Sequence, residues 1–229
     1  MNINLNNIYN IDCLEGIRAI KSGSVDAVIT DPPYFIGMTH NGQKGTFDDL
    51  TICKPFYKDM FEGFNRVLKP TGSVYWFTDW RGYAFYYQIF DSIIGVKNML
   101  VWDKGSGVGN YYTYEHELIL FGTKNTKFAC KNARNVIRGI KGFAGGAKKT
   151  NGNKVHPTQK PVELIQRLVL DSTNEGGIVL DCFMGSGTTA VSCMRTKRNF
   201  IGFELQEQYV KIAQMRIEEE KNNLKLQFD

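Results

Sequence analysis

An α/β fold built on a mostly parallel sheet is predicted by three features of the sequence. Short, dense apolar runs alternate with longer runs of 3.6-residue period, which is the pattern of strands interleaved with helices. A glycine-rich turn, FMGSG at 183–187, follows one dense run and opens a helical one. The 229 residues are 42% hydrophobic, enough to bury a full core around one sheet, so a single domain over residues 1–229 is expected.

Each element has its own signal. Val25 to Thr30 (VDAVIT) reads as a buried strand, stopped by Pro32 and Pro33 because proline cannot donate to a sheet ladder. From Lys54 to Leu68, the apolar residues Phe56, Met60, Phe61, Phe64, Val67 and Leu68 fall on one helical face, with Pro55 early and Pro70 and Gly72 beyond the end. A strand at Ser73 to Phe77, a helix near Gly82 to Ile94, and strands at Val96 to Trp102 and Glu117 to Gly122 follow. The stretch Gly139 to Gly152 has neither period and reads as an insertion. Regularity returns with a helix opening at Pro161, a strand at Gly177 to Leu180, a helix from Thr188, a strand at Asn199 to Phe203 and a last amphipathic helix carrying Tyr209, Ile212, Ala213 and Ile217. No internal repeat is present.

Composition excludes several classes. The five cysteines are odd in number and form no C-x-x-C pair, so neither a disulfide framework nor a zinc ribbon is indicated. His40, His116 and His156 match no metal-ligand spacing, and no metal is expected. The first residues lack a basic segment leading into an apolar run, and no run of eighteen apolar residues occurs, so a soluble, cytoplasmic protein with no membrane partner is expected.

The net charge of +5 is mild, but its distribution is uneven. Lys124, Lys127, Lys131, Arg134, Arg138, Lys141, Lys148, Lys149 and Lys154 fall in one stretch without a single Asp or Glu, leaving the rest of the chain net negative. Such a run suits a phosphate-facing surface, where each neutralised phosphate releases counterions; it equally suits a solvated loop.

Residues 178–189, IVLDCFMGSGTT, set Gly185 and Gly187 between a strand and a helix, where backbone can approach a ligand closely. With Ala190 they satisfy the looser G-x-G-x-x-A form of the dinucleotide fingerprint, and the lack of a following lysine rules out a P-loop. Glu204 ends the next strand, NFIGFE, where a carboxylate can accept both ribose hydroxyls or simply favour the start of the last helix. Asp12 is open to two readings as well, as a ligand contact or a helix N-cap. The tetrapeptide Asp31-Pro32-Pro33-Tyr34 is by itself a plausible turn after a strand.

Taken together and in order, Asp31-Pro-Pro-Tyr34, His156-Pro-Thr-Gln-Lys-Pro161 and Asp181-Cys-Phe-Met-Gly-Ser-Gly-Thr188 resemble the motifs of the DNA amino-methyltransferases, which modify N6 of adenine or N4 of cytosine. The catalytic motif precedes the cofactor motif, a circularly permuted order that resembles the β class of that family, and the resemblance runs from Ile8 to Tyr209. It implies a seven-stranded, Rossmann-like methyltransferase sheet and S-adenosylmethionine as cofactor. By the same resemblance, Asp181, Phe183, Gly185, Ser186, Gly187 and Thr188 line the cofactor pocket with Asp31 beside it. Glu204 holds the ribose, Asp12 and Cys13 meet the adenine, and Thr158 and Lys160 contact the carboxylate end.

The chemistry of the first motif fits this implication. An exocyclic amino nitrogen is a poor nucleophile because its lone pair is delocalised into the ring. Two acceptors, the Asp31 carboxylate and the Pro32 carbonyl, can draw density onto that nitrogen and align it. Pro32 and Pro33 stiffen the segment, and Tyr34, with Phe35 beside it, offers a face on which an extruded base can stack. An Asp at the first position is commoner among the adenine enzymes of the family and favours adenine N6. A carbon-5 cytosine enzyme would need a Pro-Cys nucleophile, which the sequence lacks.

In β-class relatives, target recognition lies where the basic stretch 124–154 sits here. Lys124, Lys127, Lys131, Arg134, Arg138, Lys141, Lys148 and Lys149 are therefore the expected DNA contacts, joined by the loop Gly37 to Thr46. The resemblance implies double-stranded DNA as substrate, with a homodimer and a cognate restriction endonuclease as further expected partners.

Overall fold

A computed structural model describes residues 1–33, 50–109, 111–124, 133–142, 149–150, 153–154 and 159–225. Ten strands and six helices are found among the described residues. They begin with β1 (Asn7–Asn10), α1 (Cys13–Ala19), β2 (Val25–Thr30), α2 (Leu50–Val67), β3 (Leu68–Thr78), α3 (Trp80–Ile93), β4 (Val96–Asp103) and β5 (His116–Thr123). The chain continues through β6 (Val136–Ile137), β7 (Lys149–Thr150), β8 (Asn153–Lys154), α4 (Val162–Ser172), β9 (Ile178–Asp181), α5 (Thr188–Arg195), β10 (Asn199–Glu204) and α6 (Glu207–Lys225).

Eight strands form one sheet in the order β1-β10-β9-β2-β3-β5-β4-β6, in which only β5 runs antiparallel to its neighbours. Seven of these match the expected sheet. The eighth, β6, is a two-residue strand from the basic stretch, laid against β4 with Val101 opposite Val136 and Trp102 opposite Ile137. The same stretch supplies a small hairpin of β7 and β8. The stretch 139–152, which shows neither period in sequence, thus contributes Lys149–Thr150 to a hairpin, because pairings two residues long are too short to leave a periodic signal.

Other boundaries also moved. α2 begins one turn before Lys54, with Pro55 inside the helix, and β3 starts at Leu68. Leu68 pairs with Val25 and Ser73 with Ala27, so residues 69–72 leave the ladder, as the run Lys69-Pro70-Thr71-Gly72 would predict.

Helices cover both faces. α1, α2 and α3 pack on one side around Phe61, Trp76 and Phe203, and α4, α5 and α6 on the other around Ile29, Leu168 and Val179. The first cluster is aromatic: the Trp76 ring lies edge-on to Phe61 at 4.9 Å and to Tyr86 at 5.1 Å. Burying a side chain such as Phe61 in this way contributes about 2–3 kcal/mol from area alone, which is ample to fix the sheet against these helices. No helix among the described residues is long and apolar enough to cross a membrane.

The topology determines where chemistry can occur. From β9 the chain winds outward through α5, β10 and α6, and from β2 it winds the opposite way through α2, β3 and α3. β9 and β2 are paired neighbours, so the sheet reverses its winding between them, and a crevice opens beyond their C-terminal ends.

Candidate active site

Asp31, at the end of β2, and Asp181, at the end of β9, flank that crevice. The Thr30 hydroxyl, at the last residue of β2, donates to Asp181 Oδ1 at 2.8 Å and accepts from the Cys182 amide at 3.1 Å, tying the two strand ends together. Asp181 also accepts from the Thr189 hydroxyl at 2.6 Å and from the Phe183 amide. It is buried, and burial pushes its carboxyl up to about 6 against the pull of those donors. Although expected as a pocket residue, Asp181 thus serves as the knot beneath the glycine turn.

The two glycines of the turn have different reasons to be glycine. Both have left-handed backbone, with φ of 51° at Gly185 and 83° at Gly187. A Cβ on Gly187 would lie 2.9 Å from the Ala213 Cβ of α6, so this glycine is needed for packing. Among the described residues, a Cβ on Gly185 would meet nothing nearer than the Phe183 carbonyl oxygen at 3.9 Å, which leaves room for the cradle that a close-approaching ligand requires. The Gly185 amide donates to Glu204 Oε2 at 2.9 Å, while Glu204 Oε1 accepts from the Gln206 amide. The ribose candidate therefore also braces the turn. Phe183 stands beside it, its ring 6.3 Å from that of Trp76.

Not every expected cofactor residue faces the crevice. Ser186 and Thr188 are buried, with Arg216 of α6 donating to the Ser186 hydroxyl at 3.0 Å and reaching the Thr188 hydroxyl at 3.4 Å, so they secure α6 to the turn. Asp12 caps α1, one oxygen accepting from the Leu14 and Glu15 amides, as its capping reading required. It nonetheless lies at the same end of the sheet as Glu204, because Asn10 is registered against Glu204. Cys13 is buried and its thiol is pushed up to about 12, chiefly by desolvation. Cys53, Cys182 and Cys193 are buried too, an environment opposed to a thiolate nucleophile.

Lys160 departs most from expectation. It is only 8% exposed, and its ammonium donates to Asp31 Oδ2 at 2.5 Å and lies 3.1 Å from Glu117 Oε2 and 5.3 Å from the centre of the Phe77 ring. The described contacts direct Lys160 towards Asp31, whereas it was expected at the cofactor's carboxylate end. Glu117 was read only as the opening of a strand. Its one sequence signal was an acid at the head of the apolar run LILF, and only the antiparallel course of β5 brings it to the Asp31 edge. Tyr34 and Thr158 lie outside the described residues, whereas Pro32 and Pro33 continue from β2 as expected.

A family model for DNA methylases of the N6/N4 type matches residues 25–215 of the chain. The chain belongs to the N6/N4 DNA methylase family. Among curated relatives, the Type II methyltransferase M.HpaI of Haemophilus parainfluenzae is 33% identical over 92% of this chain and 74% of its own length. M2.DpnII of Streptococcus pneumoniae is 30% identical over 93% and 90%. The crystal structure of an M1.HpyAVI complex with S-adenosylmethionine is 28% identical, with a TM-score of 0.69 over 92% of this chain and 98% of that one. The PvuII cytosine-N4-specific methyltransferase shares the fold at a TM-score of 0.76 and 19% identity, covering 94% of this chain and 87% of its own. The chain is accordingly a DNA methyltransferase of a family that uses S-adenosylmethionine.

Within this methylase the expected DNA contacts separate into two ends. Lys124 follows β5, and its amide bonds to the Gly72 carbonyl and its ammonium to the Asn65 carbonyl, at the sheet edge opposite Asp31. Lys124, expected as a DNA contact, thus lies at the strand end away from Asp31, because β5 runs antiparallel to β3. Arg138 and Lys141 instead lie at the Asp31 edge, beyond β6, with Arg138 3.9 Å from Asp103 and the Gly142 amide bonded to the Lys104 carbonyl. Arg134 is exposed just before β6. Lys127, Lys131 and Lys148, together with the loop Gly37 to Thr46, lie outside the described residues, and Lys149 is placed only as backbone of β7.

Proposed function

We propose that this methylase transfers the methyl group of S-adenosylmethionine to N6 of adenine in double-stranded DNA, acting on a base flipped out of the helix. The observation that carries the reading is the knot of Thr30 and Asp181, which holds an acceptor carboxylate, Asp31, next to the open glycine cradle at Gly185. S-adenosylmethionine supplies a sulfonium methyl whose S–C bond breaks as the new N–C bond forms. Gly185 and Phe183 receive the cofactor, Glu204 accepts from its ribose, and Asp12 and Cys13 lie at the edge where its adenine would rest. Asp31 and the Pro32 carbonyl each accept one amino hydrogen of the target base, and the surplus proton leaves the nitrogen after transfer. A base within a duplex cannot reach groups recessed at a strand end, which supports flipping at a cost of a few kcal/mol of lost stacking and pairing.

Adenine is favoured over cytosine by Asp31 at the head of the motif. The Type II relatives support a place in a restriction–modification system, with a cognate restriction endonuclease as partner, and a homodimer remains the expected assembly. Labelled-methyl transfer to mixed-sequence DNA, followed by mass spectrometry of nucleosides, tests the reading. N6-methyladenine is the expected product, lost in Asp31→Ala. N4-methylcytosine as sole product would overturn the choice of base, and binding without incorporation would overturn the enzymatic role.

A further inference from the structure

A buried ammonium is costly unless its charge is answered, and Lys160 is answered twice. Asp31, on the loop after β2, lies at 2.5 Å and Glu117, on β5, at 3.1 Å. Glu117 is itself held from the other side, its Oε1 3.5 Å from Lys104 at the end of β4. Among the described residues, Asp181 from β9 also faces Asp31 and is secured to β2 through Thr30. The chain Lys104, Glu117, Lys160, Asp31 thus crosses four elements and alternates in sign, ending on the carboxylate that the reaction uses.

We propose that Lys160 is a positioning residue for methyl transfer: anchored by Glu117, it keeps Asp31 ionised and oriented through Oδ2. Asp31 then serves the target amino group as a hydrogen-bond acceptor and does not act as the base that carries its proton away. The inference rests on the proposed role of Asp31. A carboxylate sharing an ammonium gives up some of its affinity for a proton and keeps its capacity to accept a hydrogen bond, since the anion has lone pairs for several donors. Glu117 prevents the lysine from following the substrate or turning to solvent.

The test is the pH dependence of single-turnover methyl transfer at saturating S-adenosylmethionine and DNA, for wild type, Lys160→Met, Lys160→Arg and Glu117→Gln. Removing the ammonium favours protonated Asp31, so the acid limb of Lys160→Met is expected to move up by about one pH unit. A one-unit shift costs up to about tenfold in rate at pH values below both limbs and almost nothing near pH 8.5. Lys160→Arg should restore most of the profile. Glu117→Gln removes a competing anion and should move the limb down, an opposite shift that mere loosening of the fold would not give. Cofactor affinity by calorimetry should stay within about twofold in Lys160→Met, since the lysine acts on the acceptor side. A limb that coincides with wild type in both Lys160→Met and Glu117→Gln overturns the proposal. So does a loss of cofactor affinity of about tenfold or more in Lys160→Met with an unmoved limb, which would return Lys160 to the cofactor's carboxylate. Absence of transfer by wild type would instead remove the underlying reading of Asp31, an outcome distinct from either.

Discussion

Gly185 and Gly187 belong to one motif, yet alanine at each should fail in a different way. At Gly187 the side chain must adopt φ of 83°, and its Cβ must fit 2.9 Å from the Cβ of Ala213. The backbone contributes about 1–2 kcal/mol and the overpacking about 1–3 kcal/mol, so Gly187→Ala should lose about 2–5 kcal/mol of stability. For a chain of this length that lowers Tm by roughly 5–15 °C. At Gly185 the backbone cost is similar, but with no neighbour inside 3.9 Å among the described residues the packing cost falls away, and a loss of only about 1–2 kcal/mol follows. The added methyl lies in the cradle, so the affinity for S-adenosylmethionine should fall by about tenfold or more. Urea and thermal unfolding report the first quantity and calorimetric titration the second, with Gly187→Ala titrated well below its Tm. Equal losses of stability, or wild-type cofactor affinity in Gly185→Ala, would refute the division of roles.

Two further outcomes follow from burial and topology. Lys124→Ala, at the edge away from Asp31, should leave DNA affinity within about twofold. The pair Arg138→Ala and Lys141→Ala should weaken it by roughly tenfold and reduce the salt slope by about two; equal effects would contradict the assignment of ends. Asp181 has a carboxyl raised by burial to about 6, so its contribution to stability is fully present below its unfolded value and is lost as pH rises through about 6. The stability of wild type relative to Asp181→Asn, measured by urea unfolding, should therefore decline from about pH 4 to about pH 7, and a flat difference would refute it.

Local chemistry made much of this protein legible. Strands such as VDAVIT and NFIGFE announce themselves because a buried parallel strand is apolar at nearly every position, and helices such as α4 because one face must be apolar. The glycine turn and its following acid were legible for the same reason, since conformational need and sequence coincide within a few residues. The motifs around Asp31 and Asp181 could be named separately, and their resemblance to a family supplied the cofactor and the reaction class.

What the sequence by itself determined was therefore the α/β class, the alternation of elements and the identity of the motif residues. Tertiary structure alone decided which strands became neighbours and which edge each residue reached. Thr30 and Asp181 are 151 residues apart and meet only because β2 and β9 pair at the point where the winding reverses. Glu117 reaches Lys160, and Lys124 is carried to the far end of the strands, because β5 runs antiparallel to its neighbours in the eight-stranded sheet. Ser186 and Thr188 turned to Arg216 because α6 packs on the glycine turn. Periodicity records whether a side chain is buried, which is a property of its own strand. Strand direction and adjacency are set by loop closure and by the packing of distant faces, and these leave no mark within the run of residues they place.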